Sequence, residues 1–166
     1  IRPAAFCGVW AMMPSLGTIP CTGVLKLSQT LDHVGVFATS PQDIALTIDA
    51  ISGEDGVDPF AKGQLPTRLA SALKAPLARP RLAFIRGPTW NEVAPDCARQ
   101  FEKLADRLGA EECSMGAEFD DIVDAHQTVM FAEIGHNMWP LYGRAGTEMS
   151  EMIRARLVKG RNIGAD

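Results

Sequence analysis

Arg81-Leu82-Ala83-Phe84-Ile85, then Pro95 through Leu108, then Glu111-Glu112-Cys113-Ser114-Met115 is the stretch that decides the fold. The first segment reads as a strand, and Gly87 and Pro88 punctuate the chain after it. From about Pro95, residues Cys97, Phe101, Leu104 and Leu108 recur at helical spacing and define the expected core face of a helix. Gly109 stops that helix, and Glu111 to Met115 reads as a second strand. Two parallel strands need a crossover, and the helix supplies one, so the stretch forms a βαβ unit. The predicted fold class is therefore α/β, a mixed β-sheet covered by helices.

Working outward, Ser40-Pro41-Gln42-Asp43 is a strong helix start. Ser40 can accept from the third amide of the helix, Pro41 suits its first position, and Asp43 faces the positive end of the dipole. Ile44, Ile48 and Ile51 give an apolar stripe, and Gly53 closes the helix. Residues 1–39 are rich in Gly, Pro and Thr without a helical period, which predicts short strands and turns, among them a buried strand at Val34–Ala38. Residues 54–80 form a loop and linker with a short helix from Thr67 to Lys74, framed by Pro76 and Pro80. Beyond the βαβ unit a helix is expected from Phe119 to Trp139, ended by Pro140. Another follows from about Thr147 to Lys159, finishing at Gly160, and Asn162–Asp166 reads as the lead-in to a further helix. All of residues 1–166 are read as part of one domain, with segments 1–53, 54–80 and 81–166.

Composition narrows the function. Of the residues, 46% are hydrophobic and 22% charged, which is globular rather than disordered. The net charge of −4 argues against a nucleic-acid partner, which would require a clustered basic face. Arg154, Arg156, Lys159 and Arg161 make one local basic stripe, read as a solvated face near a helix C-terminus. The apolar runs fall well short of the roughly 20 residues a membrane helix needs, so no membrane association is expected. Cys7, Cys21, Cys97 and Cys113 lack metal-finger spacing and are read as buried or half-buried thiols, with Cys7 a small buried packer.

The opening octet Ile1-Arg2-Pro3-Ala4-Ala5-Phe6-Cys7-Gly8 resembles the segment that follows the nucleophilic serine in the amidase signature family. The resemblance continues through Pro14-Ser15-Leu16-Gly17, Thr30-Leu31-Asp32-His33-Val34-Gly35 and Ser40-Pro41-Gln42-Asp43. Ala11, Met13 and Thr39 stand where the family usually has Gly, Lys and Arg. It is specific over residues 1–53 and only architectural over 81–166. It implies a large mixed sheet wrapped by helices, of which this chain is the middle-to-late part, and a cytoplasmic enzyme. It also implies hydrolysis of a small-molecule carboxamide through a Ser-cisSer-Lys acyl-enzyme mechanism.

On that resemblance no catalytic residue lies in this chain. The base Lys, the bridging Ser and the nucleophile Ser are expected upstream of Ile1, so the fragment alone is expected to be inactive. The expected partners are a small-molecule amide and the N-terminal part of the same protein, with a homodimer as a candidate assembly; no cofactor is expected. Arg2 is the leading substrate-binding candidate, because a guanidinium can hold a substrate carboxylate bidentately; bracing of the nucleophile loop is its alternative role. His126, Met130, Glu133 and Asn137 share one helical face, and His126 and Glu133 are weaker substrate-binding candidates. That face could instead be the solvated side opposite Ile122, Val129 and Trp139. Glu133 and His136 have the E-x-x-H spacing of di-iron bundles, but no second copy exists, so no metal site is predicted. Asp32 is read as a structural acceptor of backbone N–H groups. Two further readings remain: the A subunit of a glutamine-dependent tRNA amidotransferase, and a non-catalytic fold remnant acting as a binding module.

Overall fold

In the computed structural model, which describes residues 2–76 and 79–164, ten regular elements follow in order. They are α1 (Arg2–Cys7), β1 (Trp10–Met12), β2 (Val36–Ala38), α2 (Pro41–Ile51) and α3 (Leu69–Ala72). Then come β3 (Ala83–Ile85), α4 (Pro95–Leu108), β4 (Glu111–Cys113), α5 (Ile122–Ala145) and α6 (Glu151–Arg161). The described residues divide into two compact units, one built from 2–76 and 130–164, the other from 79–129. The mixed α/β class is as expected, with β1 and β2 antiparallel and β3 and β4 parallel. Ile1 and the end of the 162–166 segment lie outside the described residues.

In the first unit, α2 organises the packing. Ser40 caps it, its hydroxyl oxygen accepting from the Asp43 amide at 3.1 Å while its O–H donates to the Asp43 carboxylate at 2.7 Å. Ile44 and Ile48 pack with Ile19 and Val36, and the half-buried Val34, Ala38 and Leu69 close around them. Ile48 is fully buried, a contribution of about 2–3 kcal/mol. Ile51 departs from the expected stripe: it is exposed, and Ala45 completes the buried arc instead. At the far end of α2, Asp49 accepts from the Thr67 hydroxyl (2.6 Å) and the Leu69 and Ala70 amides (2.8 and 2.9 Å). The expected helix over 67–74 is thereby reduced to α3, whose first amides are capped from α2 rather than from its own sequence.

A second cluster of Ile134, Met138 and Leu157 joins α5 to α6, flanked by Phe131, Tyr142 and Ile153. Here the sequence reading is corrected twice. Pro140 does not end α5, which runs on to Ala145. Pro140 removes one helical hydrogen bond, to the carbonyl of His136, but both residues are on the exposed side, where water can take that carbonyl. The packing of Met138, Leu141 and Tyr142 holds the helix together across it. And α6 starts at Glu151 after its cap Ser150, whose hydroxyl accepts from the Ile153 amide, not at Thr147, and runs through Gly160 to Arg161.

Residues 2–7 are helical where strands and turns were expected. Only Ala4 of this helix is buried, and Cys7 is exposed, so it is not a buried packer. Cys97 is exposed as well, Cys113 is half-buried and Cys21 is buried.

In the second unit the βαβ reading is realised, with Ala83 opposite Glu111, Phe84 opposite Glu112 and Ile85 opposite Cys113. Gly109 ends α4 with φ 63°, the left-handed stop expected of it. The orientation of α4 differs from expectation. Phe101, Leu104 and Leu108 are exposed, and the partly covered side carries Ala98, Glu102 and Ala105. On that side Arg86, which directly follows β3, lies with its guanidinium over the Phe84 and Trp90 rings and pairs with Glu102 at 3.2 Å and with Glu112.

Candidate functional site

The substrate-binding candidates fall in both units. Arg2 opens α1 and is exposed, and among the described residues no carboxylate is within ion-pair reach of it. His126 is exposed and belongs to the second unit. Glu133 belongs to the first unit and is half-buried. What the first unit does bring together is the segment 26–33 with Glu133, Asn137 and Asp58.

The segment is wound on itself. Asp32 accepts from the amides of Leu27 (2.7 Å) and Ser28 (3.0 Å), the backbone-holding role expected for it. The Leu31 amide donates to the Ser28 hydroxyl oxygen at 3.2 Å, and the Asp32 amide to the Ser28 carbonyl at 3.2 Å. Ser28 is buried, at 2% exposure, so its hydroxyl proton requires a partner, and Glu133 is that partner. The same carboxylate accepts from the Thr30 amide at 3.0 Å and the Thr30 hydroxyl at 2.8 Å. One helical turn on, the Asn137 side-chain amide donates to the Leu27 carbonyl at 3.2 Å. The helix face bearing Glu133 and Asn137 is thus not a bare solvated surface. It is a clasp on a loop more than 100 positions away in sequence.

Beneath the segment lies a cavity of about 10 Å³ lined in part by Ser15, Cys21, Lys26, Gln29, His33 and Asp58. It has room for about one water and none for an amide substrate. Asp58 is buried, accepts from the Cys21 amide at 2.8 Å and the Phe60 amide at 3.0 Å, and is 3.9 Å from the Lys26 ammonium. The sequence reading missed this residue, although an Asp before Pro59 carries the signature of the short-helix cap it forms at Pro59–Ala61. It missed Ser28 too, for which no local signal exists, since its partner is remote. A larger cleft in the second unit, about 220 Å³, includes Arg86, Glu112 and Ser114. Its guanidinium is already committed to Glu102 and Glu112.

The electrostatics follow from the donors. At Glu133 partial burial works to raise the carboxyl, and hydrogen bonds from Ser28 and Thr30 outweigh it and hold it below the usual range. The Cys21 and Phe60 amides lower Asp58, the Thr22 hydroxyl and the Asp58 amide lower Asp55, and the Thr67 hydroxyl and Ala70 amide lower Asp49. Each therefore binds its proton more weakly folded than unfolded. Their contribution to stability is full above the unfolded carboxyl values near pH 4 and is lost as pH falls through the lower folded values. Denaturant midpoints should accordingly stay level down to about pH 5 and drop steeply below about pH 4. A midpoint that rises on acidification would contradict this. A carboxylate held ionised in this way is an acceptor at neutral pH and not a proton donor.

Among the described residues no helix is long and apolar enough to cross a membrane. The chain has relatives of known name. It is 31% identical, over 93% of its length, to the A subunit of the glutamyl-tRNA(Gln) amidotransferase of Thermus thermophilus, covering 34% of that protein. It is 29% identical, over 68% of its length, to AtzE, a subunit of the 1-carboxybiuret hydrolase of Pseudomonas sp. strain ADP, covering 25% of that protein. Among solved structures it superposes with a TM-score of 0.80 and 22% identity on a chain of a vestigial protein complex described as revealing the evolutionary origins of an s-triazine catabolic enzyme. That match covers 96% of this chain and 35% of the other. The chain thus spans about a third or less of the length of these curated relatives. The amidase family model matches residues 1–159. With the opening motifs, the α/β architecture and this match in agreement over nearly the whole length, the chain belongs to the amidase family, the amidase signature enzymes.

Proposed function

We propose that the complete polypeptide hydrolyses a small-molecule carboxamide to a carboxylate and ammonia or an amine. The observation that supports this most is the family match over residues 1–159, which begins at the octet that follows a nucleophilic serine in this family. An amide is a weak electrophile with a poor leaving group, so its cleavage needs an activated nucleophile, an oxyanion hole and a proton for the departing nitrogen. The nucleophile Ser, the bridging Ser and the base Lys are proposed to precede Ile1. On this reading residues 1–166 form part of one domain, supply wall and scaffold, and are inactive alone. The enzyme is proposed to work in the cytoplasm, and a homodimer is one assembly it could adopt. The test is direct. Sequence upstream of Ile1 should carry a Lys, a Ser-Ser-Gly-Gly stretch and a terminal Gly-Gly-Ser, and replacing that last Ser with Ala should abolish ammonia release. Absence of those residues sinks the proposal.

Arg2, exposed at the start of α1, is proposed to hold a substrate carboxylate. Arg2→Ala in the complete enzyme should raise KM for acidic amides by roughly tenfold or more while leaving neutral amides within about twofold. Equal effects on both classes refute the role. His126 and Glu133 are lesser substrate-binding candidates. A second reading, the A subunit of a tRNA amidotransferase, is favoured by the 31% identity to the Thermus protein. Copurification with a partner chain, together with glutamine hydrolysis stimulated by tRNA, would decide for it.

A further inference from the structure

The Glu133 clasp uses a residue that the amidase reading ranks only as a lesser substrate-binding candidate, and its chemistry is selective. Its oxygens meet three donors: the Ser28 O–H, the Thr30 N–H and the Thr30 O–H. Three donors and no acceptor is the demand of an ionised carboxylate, and Gln would turn an NH₂ onto donors. The clasped segment is rigid as well, because the amides of Leu27, Ser28, Thr30, Leu31 and Asp32 all have acceptors. It leads directly into Val34 and Val36 of the core, and Val36 to Ala38 form β2. Met12 stands opposite Val36 in register, Gly35 lies against the Met12 carbonyl, and the Val9 amide donates to the Ala4 carbonyl of α1 at 3.1 Å. Glu133 itself is held on α5 beside buried Ile134. A continuous run of close contacts thus connects one carboxylate to the helix that opens with Arg2.

We propose that Glu133 is a positioning residue: its clasp on Ser28 and Thr30 sets the placement of the β1–β2 ribbon and α1, and through them the alignment of the reacting groups. The inference rests on the amidase reading for its kinetic part only. In the complete protein, Glu133→Gln should speed amide hydrogen exchange at 27–32 and also at Trp10–Met12 and Val36–Ala38. Under conditions where the variant stays folded, kcat should fall on the order of ten- to a hundredfold with KM within about threefold, since small misplacements act on orientation. Ser28→Ala combined with Glu133→Gln should lose less than the sum of the two single losses, because both remove the Ser28–Glu133 contact, while Ser28→Ala also takes the acceptor of the Leu31 amide. Faster exchange confined to 27–32, or a kcat unchanged within about twofold beside an active wild type, overturns the proposal. A wild type that cleaves no carboxamide would instead sink the amidase reading, and the exchange pattern then decides the clasp.

Discussion

Gly160→Ala should destabilise the complete protein by about 2 kcal/mol or more, although helix propensity alone predicts a gain of about 1 kcal/mol. The two terms oppose, and the packing decides. A methyl group on Gly160 would run into the Phe131 carbonyl, with its carbon 2.6 Å away and the Gly135 amide nitrogen at 3.2 Å. These are backbone atoms of α5 and cannot turn aside as the end of a flexible side chain can. Gly135 makes the reciprocal approach, since a methyl there would lie 2.7 Å from the Arg161 nitrogen and the Gly160 carbonyl carbon. The two helices therefore meet backbone to backbone, and separating them would open the cluster of Ile134, Met138 and Leu157. Gly143→Ala is the control. That residue is in α5, the partner helix, with nothing within 4 Å, so it should gain up to about 1 kcal/mol. Denaturant unfolding of both variants checks the pair. If Gly160→Ala is as benign as the control, α5 and α6 do not cross at these glycines.

Asp58→Ala should cost about 3 kcal/mol. It leaves the Cys21 and Phe60 amides without acceptors in a buried place, and unsatisfied buried donors cost about 1–3 kcal/mol each. It also leaves Lys26, itself mostly covered, without its counter-ion. Asp58→Asn should fall between wild type and Ala, because one of its side-chain atoms still accepts while the other presents an NH₂ to a donor. The gap between wild type and Ala should narrow as pH falls below about 4, where the Asp58 carboxyl takes up its proton in the unfolded chain before it does in the folded one. A gap that stays constant into acid would mean that the negative charge contributes nothing. Calorimetric or chemical unfolding across pH measures both points. The effect also bears on the site, since Asp58 fixes the wall of the small cavity beneath segment 26–33.

What the sequence alone determined about this protein is whatever depends on neighbours along the chain. The cap at Ser40, the left-handed stop at Gly109, the parallel β3–β4 pair with α4 between and the backbone-holding Asp32 are all fixed within a few residues or by one crossover. The family was legible for the same reason, because its motifs are local strings. What only the tertiary structure decided is which side of an element is covered and which remote groups meet. The apolar stripe of α4 predicted a buried Phe101 and Leu104, but both are exposed and the partly covered side carries Glu102, paired with Arg86, because periodicity marks an apolar face without saying what packs on it. Pro140 reads as a stop, yet packing against α6 carries α5 beyond it, because one lost hydrogen bond is smaller than the burial retained. Glu133 and Ser28 are 105 positions apart, and neither residue type announces the other. A buried hydroxyl needs its partner only once the chain has folded around it, so that pairing is written in three dimensions and not in the string.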